Sequence, residues 1–450
     1  MGNLTSAPRG TQDLLPSDSY KWRYIEKVAM EEAKAFGYRE IRTPAFEHTE
    51  LFSRSVGEGT DVVQKEMYTF SDRGGRSVTL KPEGTAGAVR ALLEHGCFND
   101  PLPIKAFYIT PCFRYEKPQA GRMREFHQFG VEAFGSSSPL IDAETIYLGR
   151  SILSRLGVTD FSLQINSIGC PTCRAKYREA LQEYFADKKD KLCDTCLERL
   201  EKNPMRILDC KSPECAEVAK DAPRILDYLC DDCRKHFDGV KLALDMLEVP
   251  YTINPTIVRG LDYYTRTVFE FVTTSLGSQG AICAGGRYDG LVEELGGPSV
   301  PALGFGMGLE RLLLLMERTN CAFEEEPPCD IYIGSMGEVP ARMAAKLTAR
   351  LRSEFGVYAE CDLMGRSVKA QMKYANKIGA RFSAILGENE LEQKKLTIKN
   401  MVSGETKEMV LDEDFIEHLA DFMAYEQLYN SCEDMEKMFQ MTSQEKPPKA

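Results

Sequence analysis

Apolar residues near the start of the chain recur at helical intervals, and then the period changes. Trp22, Ile25, Ala29, Ala33 and Phe36 share one face of a helix over residues 20–36, with Gly37 as its stop. Tyr38 to Pro44 then reads as a strand running into a proline. From there to about Gly135, strand-like segments dominate with few crossover helices between them. That pattern predicts a largely antiparallel sheet of α+β class, not a doubly wound α/β fold.

Residues 166–250 change character, with charged helical stretches and eight of the fifteen cysteines, and read as a helical insertion. Strand, Gly-rich turn and helix return over 251–320, and Glu324 to Pro328 reads as a linker. Beyond it, strand-like pieces at Asp330–Ile333, Ala380–Leu386 and Lys395–Lys399 alternate with helices, as in a separate small α/β domain over 329–424. Residues 425–450 form an extension whose polar end, Gln444 to Ala450, reads as disordered.

Composition narrows the class. A chain of 450 residues, 43% hydrophobic and 28% charged, is long enough for two or three domains with cores. Its apolar run Leu312–Met316 is far too short to cross a bilayer, so no membrane partner is expected. No basic region followed by an apolar stretch opens the chain. Met1 to Ser6 fits the loose N-myristoylation pattern, which is short enough to arise by chance, and a cytoplasmic protein is expected. The net charge of −12 argues against a surface uniformly coated for nucleic acid. A local basic face is still encoded: Lys369, Lys373 and Lys377 recur every four residues, which suits either a solvated helix or phosphate contacts.

Candidate chemistry concentrates in a few segments. Ile257-Val258-Arg259-Gly260-Leu261-Asp262-Tyr263-Tyr264 and Ala284-Gly285-Gly286-Arg287-Tyr288-Asp289-Gly290-Leu291 bring fixed cations, phenol hydroxyls and glycines close together. Lys105 to Gly135 reads as strand, loop and returning strand. Tyr108, Thr110, Cys112, Arg114 and Glu116 share one face of the first strand, and Phe126, Gln128, Gly130, Glu132 and Phe134 one face of the second. Leu303 to Leu313 is a Gly-interrupted strand feeding a Leu-rich helix that opens with Arg311. Alternating glycines clear one strand face so that a flat ligand can lie on the backbone. Lys81-Pro82-Glu83-Gly84-Thr85 is a turn offering a carboxylate and a hydroxyl, or simply a capped helix start. Cys170-x2-Cys173 and Cys193-x2-Cys196 fit a four-cysteine zinc spacing, and Cys210-x4-Cys215 and Cys230-x2-Cys233 follow. All eight also suit reduced thiols in a compartment where disulfides are rare.

The two Arg/Tyr/Gly blocks resemble the paired histidine-specific signatures of the histidyl-tRNA synthetase family, and the resemblance runs from roughly residue 7 to 424. Tyr38–Pro44 is similar to class II synthetase motif 1, Lys105–Gly135 to motif 2 and Leu303–Leu313 to motif 3. The resemblance implies a class II catalytic domain over 1–165 and 251–326, and an anticodon-binding domain over 329–424. It also implies a homodimer through motif 1. L-histidine and ATP with Mg²⁺ would give histidyl-adenylate, and the histidyl group would pass to tRNA(His). On that basis Arg114, Arg259 and Arg311 are the expected catalytic cations. Arg114, Glu116, Phe126 and Arg311 would hold ATP. Histidine would be held by Glu83, Gly84, Thr85, Gln128, Glu132, Arg259, Tyr263, Tyr264 and Tyr288. Acceptors on Glu83, Thr85 and Gln128 suit its ammonium, and Glu132 with Tyr264 can bracket the imidazole. Arg122, Lys369, Lys373 and Lys377 would touch tRNA. Histidine-sensing regulatory subunits that have lost catalysis are the alternative, although they typically degrade these motifs and lack the anticodon domain.

Overall fold

In a computed structural model the described residues are 6–57, 60, 62–210, 212–277, 280–325 and 328–426. The N-terminal Met1–Thr5, part of the proline linker and the extension from 427 onward lie outside them. The chain forms two compact units, Met1–Glu324 and Glu325–Ala450.

The first amphipathic pattern folds as the helix Ser19–Ala35, which buries Ile25, Val28, Ala29 and Ala33. Gly37 then takes φ +82°, a left-handed turn that leaves the helix cheaply. An eight-stranded sheet follows in the order 39–40, 104–113, 125–134, 302–308, 281–287, 265–272, 162–167 and 252–253. All neighbours run antiparallel except the two edge pairs, 39–40 with 104–113 and 162–167 with 252–253.

Alternation along the strands sorts the faces. Phe107, Phe129, Val131, Phe269, Phe271 and Phe305 join one core. The helices Ser19–Ala35, Pro139–Arg155, Asp231–Met246 and Leu309–Arg318 contribute to the same core. The residues between those aromatics, among them Gln128, Gly130, Glu132, Gly304 and Gly306, therefore face the other way.

Within the cysteine-rich stretch, a separate small core joins Tyr177, Leu181, Phe185, Leu200, Ile207 and Ile225 to the buried thiols Cys173, Cys196, Cys215 and Cys233. Flanking parts belong to the sheet instead: Ser162–Ser167 is one of its strands, and Phe237, Val240 and Leu244 pack into its core. The second unit is a five-stranded sheet in the order 359–361, 331–335, 382–386, 395–400 and 406–410. Its helices Glu338–Phe355 and Val368–Lys377 flank that sheet. Among the described residues, no helix is long and apolar enough to cross a membrane.

Candidate active site

The hairpin Ile104–Phe113 and Glu125–Phe134 sets Thr110 opposite Gln128 and Tyr108 opposite Gly130. On its other side, Gly304, Gly306 and Gly308 stand opposite Glu132, Gly130 and Gln128. Gly304 and Gly306 are required by their neighbours. A Cβ on Gly304 would strike the Glu132 carboxylate, and one on Gly306 would strike the Gln128 amide. Gly84 and Gly130 likewise leave room for the Tyr108 ring that lies between them.

Tyr108 thereby aims its hydroxyl at Glu132, donating to Oε1 at 2.8 Å, while the Tyr288 hydroxyl donates to Oε2. Burial pushes the Glu132 carboxyl up to about 8, against the pull of those two hydroxyls. Next to it the Tyr263 and Tyr264 rings lie 4.7 Å apart, and Tyr263 meets Tyr288 edge-on at 5.5 Å. Glu83 turns back on its own helix, accepting from Thr85 N at 2.7 Å and Ala86 N at 2.8 Å. The Gly84 N–H donates to Gln128 Oε1 at 3.1 Å, tying the Pro-Glu-Gly-Thr turn to the hairpin.

Guanidinium groups gather further along the same cavity, which has a volume of about 320 Å³ and is lined by Arg114, Arg122, Arg259 and Arg311. Arg114 donates to Pro82 O at 2.8 Å and stacks over Phe126 at 5.2 Å. Arg311, at the start of its helix, donates to Ala281 O at 2.7 Å. Burial and the neighbouring Arg122 charge both lower its pKa, the signature of cations crowded without enough anions. Arg122 pairs with Glu116. Arg259 pairs with Glu270 and lies over the Tyr264 ring at 5.3 Å, yet its buried Nε has no hydrogen-bond partner among the described residues. A buried donor left unpaired is costly and points to a ligand.

One cavity therefore brings together Glu83, Thr85, Arg114, Glu116, Arg122, Phe126, Gln128, Glu132, Arg259, Tyr263, Tyr264, Tyr288 and Arg311, with Gly84 just behind. Reading the sequence placed Tyr108 on the site face without a role and did not single out Glu270 or Glu310. Tyr108 and Glu270 orient Glu132 and Arg259, and Glu310 lines the cavity while accepting from His127 N at 2.8 Å. Only the Leu-Glu-Arg run hinted at Glu310.

Other candidates lie elsewhere. Arg287 stands in the second signature block, but it is fully buried and turned away from the cavity. It grips Asp142 through Nε and Nη2 at 2.6–3.0 Å, so it is structural and not a phosphate ligand. Lys369, Lys373 and Lys377 are exposed on the helix Val368–Lys377 in the second unit, and none forms an ion pair among the described residues. The eight insertion cysteines do not group as neighbours in sequence. The expected set Cys170, Cys173, Cys193 and Cys196 is split: Cys170 and Cys173 face Cys230 and Cys233, whereas Cys193 and Cys196 face Cys210 and Cys215. Folding the segment back on itself brings its two ends together, which linear spacing does not reveal.

An antiparallel sheet carrying this hairpin, a glycine-lined strand and an arginine-rich cavity has the build of a class II aminoacyl-tRNA synthetase catalytic unit. Residues 10–312 match the family model described as histidyl-tRNA synthetase, and residues 330–421 match that of an anticodon binding domain. The chain belongs to the histidyl-tRNA synthetase family. It is 54% identical to a histidine–tRNA ligase of Caldanaerobacter subterraneus subsp. tengcongensis over 91% of this chain and 98% of that one. To its counterpart in Clostridium novyi it is 56% identical over 90% and 96%. The apo histidyl-tRNA synthetase structure from S. aureus superposes with a TM-score of 0.79 at 41% identity, covering 93% of this chain and all of that one. An ATP phosphoribosyltransferase regulatory subunit/histidyl-tRNA synthetase from Bacillus halodurans shares the fold, with a TM-score of 0.62 at 20% identity.

Proposed function

We propose that this chain ligates L-histidine to tRNA(His) in two steps. The histidine carboxylate attacks the α-phosphorus of ATP and pyrophosphate leaves. A hydroxyl at the 3′ end of the tRNA then attacks the activated carbonyl and AMP leaves. The observation that carries this reading is one cavity lined both by four guanidinium groups and by a carboxylate–tyrosine cluster. The first suits a triphosphate, and the second an amino acid with a polar ring.

The attacking carboxylate is already ionised near neutral pH, so the protein's task is placement and charge stabilisation. Glu83, Thr85 and Gln128 retain acceptor lone pairs for the ammonium, and Glu132 with Tyr264 brackets the imidazole. Arg259 offers its unpaired Nε to the α-phosphate as charge builds there, alongside Arg114. Phe126, backed by Arg114, provides a face for the adenine, and Arg311 a cation for the far phosphates. The carboxylates of Glu116 and Glu310 line the same cavity, a donor set that fits Mg²⁺ beside phosphate oxygens, where it would neutralise phosphate charge. Arg122 and the exposed lysines at 369, 373 and 377 are assigned to tRNA phosphates, and the chain acts as a homodimer paired through the region of Tyr38–Pro44.

Histidine-dependent exchange of pyrophosphate into ATP, followed by charging of a tRNA(His) transcript, is the direct test. Both should be observed, and other amino acids should support neither. Histidine binding without exchange would favour a sensing subunit, a reading already weakened by the match of 330–421 to an anticodon binding domain. Sedimentation equilibrium checks the dimer.

A further inference from the structure

We propose that the insertion holds two zinc ions in separate four-thiolate centres. Cys170, Cys173, Cys230 and Cys233 form the outer centre, and Cys193, Cys196, Cys210 and Cys215 the inner one. In each group all four sulfurs lie within 4.8 Å of one another. A tetrahedral ion with Zn–S bonds of about 2.3 Å needs sulfurs about 3.8 Å apart. Here Cys170 and Cys173 are separated by 3.5 Å, Cys170 and Cys230 by 4.0 Å, and Cys193 and Cys210 by 3.9 Å. These separations are far too long for a disulfide, whose sulfurs sit about 2.05 Å apart. They are also too short to surround an iron–sulfur cubane, so the space suits one ion.

The backbone supports thiolates at both places. Cys230 N donates to Cys173 Sγ at 3.1 Å, and Cys193 N donates to Cys215 Sγ at 3.2 Å. Cys170, Cys193 and Cys230 each stand at the position immediately before a helix, and Cys173, Cys196 and Cys233 sit on the first turn of the same helices. Both members of each Cys-x2-Cys pair therefore present sulfur at a positive helix end. Each centre combines two half-buried and two buried thiols, so the metal would sit at the edge of the small core that these cysteines help to build. Binding converts four thiols and Zn²⁺ into a tetrathiolate and releases up to four protons, with no change of oxidation state. The segment gains two cross-links beside its small core in this way.

The test is elemental analysis of the full chain purified without chelator. About two zinc per chain are expected. Cys230→Ser and Cys210→Ser should each lower the content to about one, because each removes a ligand from a different centre. If the ligands were instead the sequence neighbours 170, 173, 193 and 196, neither change would matter, and wild-type content in both variants overturns the assignment. Should the variants misfold, the wild-type protein still decides. A mercurial titration of the native chain should release about one zinc for every four thiols blocked. A metal-free chain with all eight thiols open to reagent overturns the proposal, and iron in place of zinc overturns the choice of metal.

Discussion

Burial keeps the Glu132 proton bound up to about pH 8, although an exposed carboxyl would release it near 4.5. A group whose pKa rises on folding holds a proton in the folded state that the unfolded state has lost. Stability of the unliganded protein should therefore fall as pH rises from about 4.5 through about 8. Glu132→Gln should flatten that dependence, as followed by urea denaturation at a series of pH values. In catalysis, Glu132→Ala should raise the KM for histidine and leave that for ATP nearly unchanged, since a contact made equally before and during reaction appears in KM. Arg259→Ala should slow pyrophosphate exchange on the order of a hundredfold, with a much smaller effect on histidine binding. Strand alternation by itself puts Gln128 and Glu132 on one face. It also puts Tyr108 on the matching face of the first strand, but not against Glu132, and it gives Glu270 no partner, because both contacts depend on which strand lies beside which. Arg259 and Arg287 look equivalent in sequence, but a register shift between Gly286 and Arg287 accompanies the turn of the second toward Asp142.

Elements with a strong period were legible. The first helix emerges at Ser19–Ala35, and the expected strand 395–399 at Lys395–Asn400. The order of strands in the sheet was not, because hydrophobic patterning fixes which face of a strand is buried but not its neighbour. The strand Ala302–Gly308 shows the difference. Its alternating glycines suggested a bare surface for a ligand, whereas the Cβ positions of Gly304 and Gly306 are already claimed, the first by Glu132 and the Val131 carbonyl and the second by Gln128. Gly304→Ala should displace the Glu132 carboxylate and weaken histidine binding, and Gly306→Ala should disturb Gln128 instead. Gly306→Ala should leave the fold intact by circular dichroism, whereas the Gly304→Ala methyl also meets the Val131 carbonyl and should lower the melting temperature. Calorimetric titration with histidine separates them: loss of discrimination between histidine and amino acids without an imidazole belongs to Gly304→Ala alone.

At the scale of the whole molecule, an excess of acids coexists with two local concentrations of positive charge, one in each compact unit. In the second unit, Arg366 pairs with Asp362 and Arg381 with Asp330, so the lysines at 369, 373 and 377 carry the exposed charge of that helix. Replacing all three with Ala should raise the KM for tRNA and reduce its salt slope by about one per lysine, while pyrophosphate exchange stays at wild-type rate. The nesting of the cysteine groups has a mechanical consequence. The outer four close the segment at its neck, where it leaves and rejoins the sheet-bearing part of the chain, and the inner four lie wholly within the loop so formed. The loop inside the neck also reaches the signature block directly: Arg206 donates to Gly260 O at 2.6 Å and Asn203 to Asp262 Oδ1 at 3.4 Å. Order that the proposed inner centre imposes on residues 193–215 is therefore passed straight to the segment carrying the signature arginine and tyrosines, so removing that metal should loosen both.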